Sequence, residues 1–249
     1  MFRGLFLSTL VLACSGAIAQ PKANNKEFSW GVGIAAIAQD QGYIDIGNET
    51  ILVPVLAIQY GNFSLLGPRA NYKIIDTDNY EISLTGHLRL DGYEADDADF
   101  YAGMEDRDMS FDMGVSAELD TDFGEFGLEL IHDLTSTHEG YEVSVSFGTP
   151  IRFEKGTVKP YISASYESED LVDYYYGVSA TEARINRPLY QGDGSVSYEI
   201  GVSSDWFFGK HHMLKADVSY TSYASEIKDS PLIDKSGYAQ IILGYVYVF

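Results

Sequence analysis

The chain of 249 residues contains a single cysteine, Cys14, only seven prolines, and 16 basic residues against 37 acidic ones. One thiol cannot form an intramolecular disulfide, so the fold must rest on packing and backbone pairing. A formal charge of −21 argues against bulk-charge attraction to nucleic acid or to anionic phospholipid. Long apolar runs are scarce too. Beyond residue 19 none approaches the roughly 18 residues that a spanning helix needs, so a bilayer can be crossed only by strands.

The one extended apolar run, Leu5 to Ala13, follows Arg3 and precedes Ala17-Ile18-Ala19. That order reads as a secretory signal over residues 1–19, cleaved before Gln20, which would remove Cys14 with it. Val11-Leu12-Ala13-Cys14 is also a loose lipobox, and on that alternative Cys14 becomes the lipidated first residue. Residues 20–249 are long enough for one all-β domain.

Tyrosine (19) and glycine (24) are plentiful, which suits interfacial aromatic girdles and tight turns. Period-two alternation recurs along the chain. Between Asn79 and Asp91, Tyr80, Ile82, Leu84, Leu88 and Leu90 share one face, while Glu81, Ser83, Thr85, His87, Arg89 and Asp91 share the other. The last twelve residues place Ile241, Leu243, Tyr245, Tyr247 and Phe249 on alternate positions and stop at the aromatic, the form of a membrane-insertion signal at the end of an outer-membrane barrel.

These patterns predict an all-β fold, a transmembrane antiparallel up-and-down β-barrel. Strands are expected near 28–38, 51–60, 62–74, 79–91, 109–120, 124–134, 140–151, 157–167, 172–180, 195–206, 212–224 and 237–249. Twelve is even, as closed bacterial barrels require. The expected alternation of short periplasmic turns with long outer loops slips, however, because 92–108 is long where twelve strands call for a short turn. Ten strands is the alternative.

On the polar strand face Glu81, Asp112, Glu118, Glu142, Glu199 and Asp217 outnumber Arg89 and Lys215, so a water-filled lumen would favour cations. No catalytic, cofactor or metal residues are assigned. His87 is too far along its strand from Ser83 and Thr85 to pair with either, and His132-Asp133 and His138-Glu139 read as solvated loop residues. The acidic run from Glu94 to Asp108 lacks the spacing of a calcium loop and reads as a hydrophilic loop, with a cation bridge from Asp96, Asp97 and Asp99 to lipopolysaccharide as a hypothesis. Tyr174-Tyr175-Tyr176 reads as aromatic girdle, and Arg184 and Arg187 as contacts for lipopolysaccharide phosphate or for neighbouring acids.

Trp30-Gly31-Val32-Gly33, Tyr60-Gly61 ahead of Gly67-Pro68-Arg69, His138-Glu139-Gly140, Tyr176-Gly177-Val178-Ser179, Asp229-Ser230-Pro231 and Gly244-Tyr245-Val246-Tyr247-Val248-Phe249 together resemble the MipA/OmpV family of outer-membrane proteins. The resemblance implies a barrel in the bacterial outer membrane, in contact with its lipid and lipopolysaccharide. It also implies a non-enzymatic role, since no catalytic residues come with the family. One member is regarded as a scaffold that joins a lytic murein transglycosylase to a murein synthase, and others are linked to adhesion, osmotic response or antibiotic sensitivity. The expected role is such a scaffold for murein-processing enzymes; the alternatives are a narrow cation-preferring pore for small solutes and, third, a barrel hydrolase.

Overall fold

The computed structural model describes residues 28–249, so the signal segment and Cys14 lie outside the described residues. Thirteen strand segments and two short α-helices follow in chain order: β1 Ser29–Gln39, β2 Glu49–Tyr60, β3 Phe63–Leu66, β4 Arg69–Asp76, β5 Tyr80–Arg89, β6 Ser110–Thr121, β7 Gly124–Asp133, β8 Tyr141–Gly148, β9 Ile151–Phe153, β10 Gly156–Glu167, α1 Glu169–Tyr176, β11 Ser195–Phe208, β12 His212–Ser222, α2 Ser225–Lys228 and β13 Gly237–Val248. β8 and β9 are two pieces of one stave interrupted at Thr149-Pro150, because both pair with β10. Twelve staves result, all antiparallel, and β1 against β13 closes the ring.

At that seam Gly33 lies opposite Val246, and a Cβ on Gly33 would fall 1.9 Å from the Tyr245 carbonyl oxygen. Only glycine lets the first and last strands approach so closely. Both described ends and the turns 61–62, 77–79, 122–123, 154–155 and 209–211 lie at one end of the barrel, which is therefore the periplasmic end.

The total of twelve agrees with the sequence reading, but two of its members differ. Residues 62–74 are two strands: Gly67, at φ +56°, and Pro68 turn the chain so that β3 and β4 form a short hairpin. Residues 172–180 are not a strand. Leu171, Val172 and Tyr175 share one buried face of α1, with Glu169 and Asp170 favourably placed in its first turn and Gly177 following its end. Splitting one strand and removing another restores the loop alternation and puts residues 90–109 on the outer side.

Side chains alternate as a bilayer demands. Leu84, Leu88, Phe111, Met113, Val115, Leu128 and Leu130 face outward and are exposed, whereas Ser83, Thr85, His87, Arg89, Ser110 and Asp112 face inward and are buried. Leu90, expected on the outer face, lies beyond the end of β5 and packs inward with Ile37 and Ile242. One irregularity stands out in the wall. β3 pairs with β2 only over Ala57–Tyr60, and the hairpin tip adds a bond from Gly67 N–H to the Leu56 carbonyl. Further out, β2 has β1 as its only ladder partner among the described residues.

Candidate functional site

The interior has three levels, each built by a different part of the sequence. The outermost is a lid. Four outer loops meet over the mouth, and Tyr43, Tyr93, Tyr101, Val172, Tyr223, Ile227, Leu232 and Tyr238 form a single buried apolar cluster there. Tyr43 stacks on Tyr176 with ring centroids 5.8 Å apart. The phenol of Tyr43 donates to the Tyr175 carbonyl (3.3 Å), that of Tyr101 to Leu232 (3.4 Å) and that of Tyr223 to Gln41 (3.1 Å). Burial, reinforced by neighbouring phenols, pushes the hydroxyls of Tyr43 and Tyr176 well above the usual tyrosine range, so both stay neutral.

Tyr174, Tyr175 and Tyr176 thus belong to the lid and its supports, not to a membrane girdle. Their position on α1 turns them toward the mouth instead of the lipid. Arg187 is corrected as well: it is fully buried, and its guanidinium donates to the carbonyls of Glu182 and Phe100, so it cannot reach a lipopolysaccharide phosphate. Arg184 is exposed. The lid is also clamped electrostatically, with Arg107 paired to Glu182 at 3.1 Å. Glu182 is buried, which opposes its charge, but the backbone N–H groups of Glu105 and Ser179 and the Arg107 guanidinium outweigh that cost and hold its carboxyl down at about 2.

Beneath the lid lies a charged node. Arg89 is fully buried and donates to Asp112 (2.7 Å), Glu142 (2.8 Å) and Asp91 (3.3 Å). Asp112 also accepts from the Ser110 hydroxyl (2.8 Å) and contacts His138 Nε2 (3.2 Å). His138 is thus buried and inward, unlike the solvated position read from the sequence. Its other ring nitrogen accepts from Gly140 N–H at 3.0 Å, which fixes Nε2 as the protonated atom. With both nitrogens committed, this Asp–His pair has no free base to offer a nucleophile. Asp133, opposite Asp112 in the β6–β7 register, takes four bonds from Thr135, His138 and Glu139 and thereby shapes the loop after β7. His132 points outward, and His87 is buried inside with no hydrogen-bond partner for either nitrogen.

Below the node a cavity of about 420 Å³ occupies the periplasmic half of the lumen. Four ion pairs line it: Arg69 with Glu129, Lys73 with Glu81, Lys159 with Glu125 and Lys215 with Asp205. Of the acids singled out in the sequence, Glu81 and Glu118 line this cavity and Asp112 and Glu142 bind Arg89. Glu199 lies in a smaller chamber above it, and Asp217 accepts from the Tyr161 hydroxyl (3.3 Å). Ile241, Leu243 and Tyr245 face outward, Tyr247 stacks on His211 and Phe249 on Trp30. Two acidic clusters stand out among the described residues: Glu94, Asp96 and Asp97 converge, exposed, in the outer loop, whereas the acid–histidine group Asp112, Asp133 and His138 is buried and internally bonded.

The chain is 26% identical to the MltA-interacting protein of Escherichia coli (strain K12) over 245 residues, 96% of each chain. It is 27% identical to the outer membrane protein OmpV of Vibrio cholerae serotype O1 over 168 residues, 67% of this chain and 65% of that relative, and so spans just under two thirds of its length. Among solved structures, the NanC porin aligns with a TM-score of 0.47 at 11% identity, covering 87% of this chain and 98% of that one. The profile of the family described as MltA-interacting protein MipA matches residues 32–249, and the chain belongs to that family of bacterial outer-membrane β-barrels.

Proposed function

We propose that this barrel works from its periplasmic side, as a membrane-embedded docking scaffold for murein-processing enzymes. One observation carries the reading: the outer mouth is closed by the buried tyrosine cluster, while the 420 Å³ cavity lies at the end where the turns are short and both described termini emerge. A sealed outer face suits a protein that presents a surface inward more than one that passes solute. A lytic transglycosylase and a murein synthase are the partner classes, in keeping with the name of the Escherichia coli relative. Lipid and lipopolysaccharide surround the barrel wall. Ile241, Leu243, Tyr245, Tyr247 and Phe249 are assigned as the segment that directs insertion.

The test is recovery of a transglycosylase or synthase with the tagged barrel from gently solubilised envelopes, alongside planar-bilayer recording. Co-purification with electrical silence supports the scaffold. Discrete conductance steps from the intact protein, with no murein enzyme recovered, would overturn it. The second reading, a cation-preferring pore, rests on the inward-facing acids Glu81, Asp112, Glu118, Glu142, Glu199 and Asp217, and it requires the lid and the Arg89 node to move.

A further inference from the structure

The inner face of a barrel that holds water is expected to be polar, and most of this one is: Ser83, Asp112, Ser144 and Ser163 all turn inward and are buried. One sector departs from that rule. Ile37 on β1 lies opposite Ile51 on β2 and Ile242 on β13, and Ala35 lies opposite Val53, on the face where Ile37 and Ala35 are buried. Val55 continues the inward row, and Leu90 joins Ile37 and Ile242 from the loop after β5.

The wall is incomplete beside this sector. β3 stops at Leu66, opposite Ala57 of β2, and β4 begins at Arg69, opposite His87 of β5. Beyond that height no strand lies between β2 and β5 among the described residues, although β2 continues outward to Glu49. Two strand widths are missing there, about 10 Å at ordinary spacing. The resulting notch lies in the outer half of the wall and is continuous with the lipid-facing surface, since Leu52 and Leu56 on one side of it and Leu84 and Leu88 on the other are exposed. Val53 and Val55, behind it, point inward yet are only half-buried. Apolar side chains clustered on the inner wall behind a gap are what hydrocarbon entering that gap selects.

The open strand edge fits the same occupant. The Leu56 carbonyl turns toward the hairpin, so Pro54, Leu52 and Thr50 turn their backbone groups to the open flank. Pro54, the deepest of the three, has no N–H to leave unpaired in hydrocarbon, and Leu52 and Thr50 lie nearer the rim, where the polar region of the bilayer begins.

We propose that this notch takes one acyl chain of an outer-leaflet lipid, with its ester oxygens level with Leu52 and its tail passing Pro54 to lie against Val53 and Val55. The site stands apart from the docking role. The bound chain completes the wall where β3 and β4 are short and fastens the barrel to the outer leaflet.

Tryptophan fluorescence tests this on the full barrel refolded into phosphatidylcholine vesicles, either plain or brominated in one acyl chain. Trp30→Phe and Trp206→Phe remove the two native signals. Single probes are then placed as Val53→Trp at the notch, Leu52→Trp on the lipid side, and Ser146→Trp, which faces the large cavity from a stave paired on both sides. Bromine quenches only at close approach, so Val53→Trp is expected to lose about half of its emission in brominated vesicles, as Leu52→Trp does, while Ser146→Trp keeps its own. Val53→Trp emission as insensitive to bromine as that of Ser146→Trp overturns the proposal and means that the notch is closed to hydrocarbon. Equal quenching of Val53→Trp and Ser146→Trp overturns it too, because lipid contact is then not confined to the notch. Emission that ignores bromine but follows the protein-to-lipid ratio assigns the notch to a second copy of the chain and likewise overturns it. Should Val53→Trp lack the heat-modifiable gel mobility of a folded barrel, Val55→Trp supplies the same comparison.

Discussion

The ring of Phe249 lies on that of Trp30, with centroids 4.3 Å apart and 13° between the planes, and the Phe249 N–H donates to the Trp30 carbonyl at 2.8 Å. The last residue thus locks onto the second residue of the first strand and fastens the ring at its periplasmic rim. Stacked aromatic pairs contribute about 0.5–1.5 kcal/mol beyond their buried area. Phe249→Ala and Trp30→Ala are each expected to lower the gel-shift unfolding temperature. The double variant should be less destabilised than the two single effects added together, by a coupling of about 1 kcal/mol; strict additivity would mean that the stack does nothing.

Replacing Arg89 tests the charged node. Arg89→Met removes a cation shared by Asp91, Asp112 and Glu142, taking that counter-charge from buried acids at a cost of about 3–5 kcal/mol. Urea denaturation should detect the loss, and Asp112→Asn combined with Glu142→Gln in the Arg89→Met background should recover part of it.

Glu182 gives the lid a pH dependence whose sign follows from its carboxyl. Folding holds that group at about 2 against an ordinary value of 4.5, so its contribution is complete above pH 4.5 and disappears as pH falls toward 2. Hydrogen exchange in segments 101–108 and 178–190 should accelerate over that window. Glu182→Gln should exchange fast at pH 7 and respond little to acid.

Access to the lumen should be one-sided. Ser203 is buried and lines the lower cavity, so Ser203→Cys places a thiol that is reached from the periplasm. A bulky, membrane-impermeant maleimide should leave intact cells unlabelled above the parent background and label the variant once the outer membrane is permeabilised. Equal labelling in both conditions would mean that the lid is open.

The wall of the barrel was far more legible in the sequence than what fills it. Leu84 or Val115 reveals its side by alternation alone, because a strand has a period of two and the bilayer accepts only apolar groups. The hairpin within residues 62–74 escaped that rule, since Gly67-Pro68 turns the chain in two residues inside an otherwise extended pattern. α1 was misread because Val172, Tyr174, Tyr176 and Val178 happen to alternate, while its actual buried face is Leu171, Val172 and Tyr175. The node was hidden for another reason. Arg89 meets Glu142 across 53 residues, and His138 meets Asp112 across 26, through a loop whose path no local pattern encodes.

The abbreviated β3–β4 hairpin has a consequence for how copies of this protein meet. Backbone groups two residues apart in a strand point the same way, so Pro54 turns its ring nitrogen toward the flank on which the Leu56 carbonyl receives Gly67. That flank is where a foreign strand could zip on, and proline offers it no hydrogen to grasp. The blemish in the staves is thereby guarded against templated fusion, and crowding of many such cylinders in one membrane need not knit them into a continuous sheet.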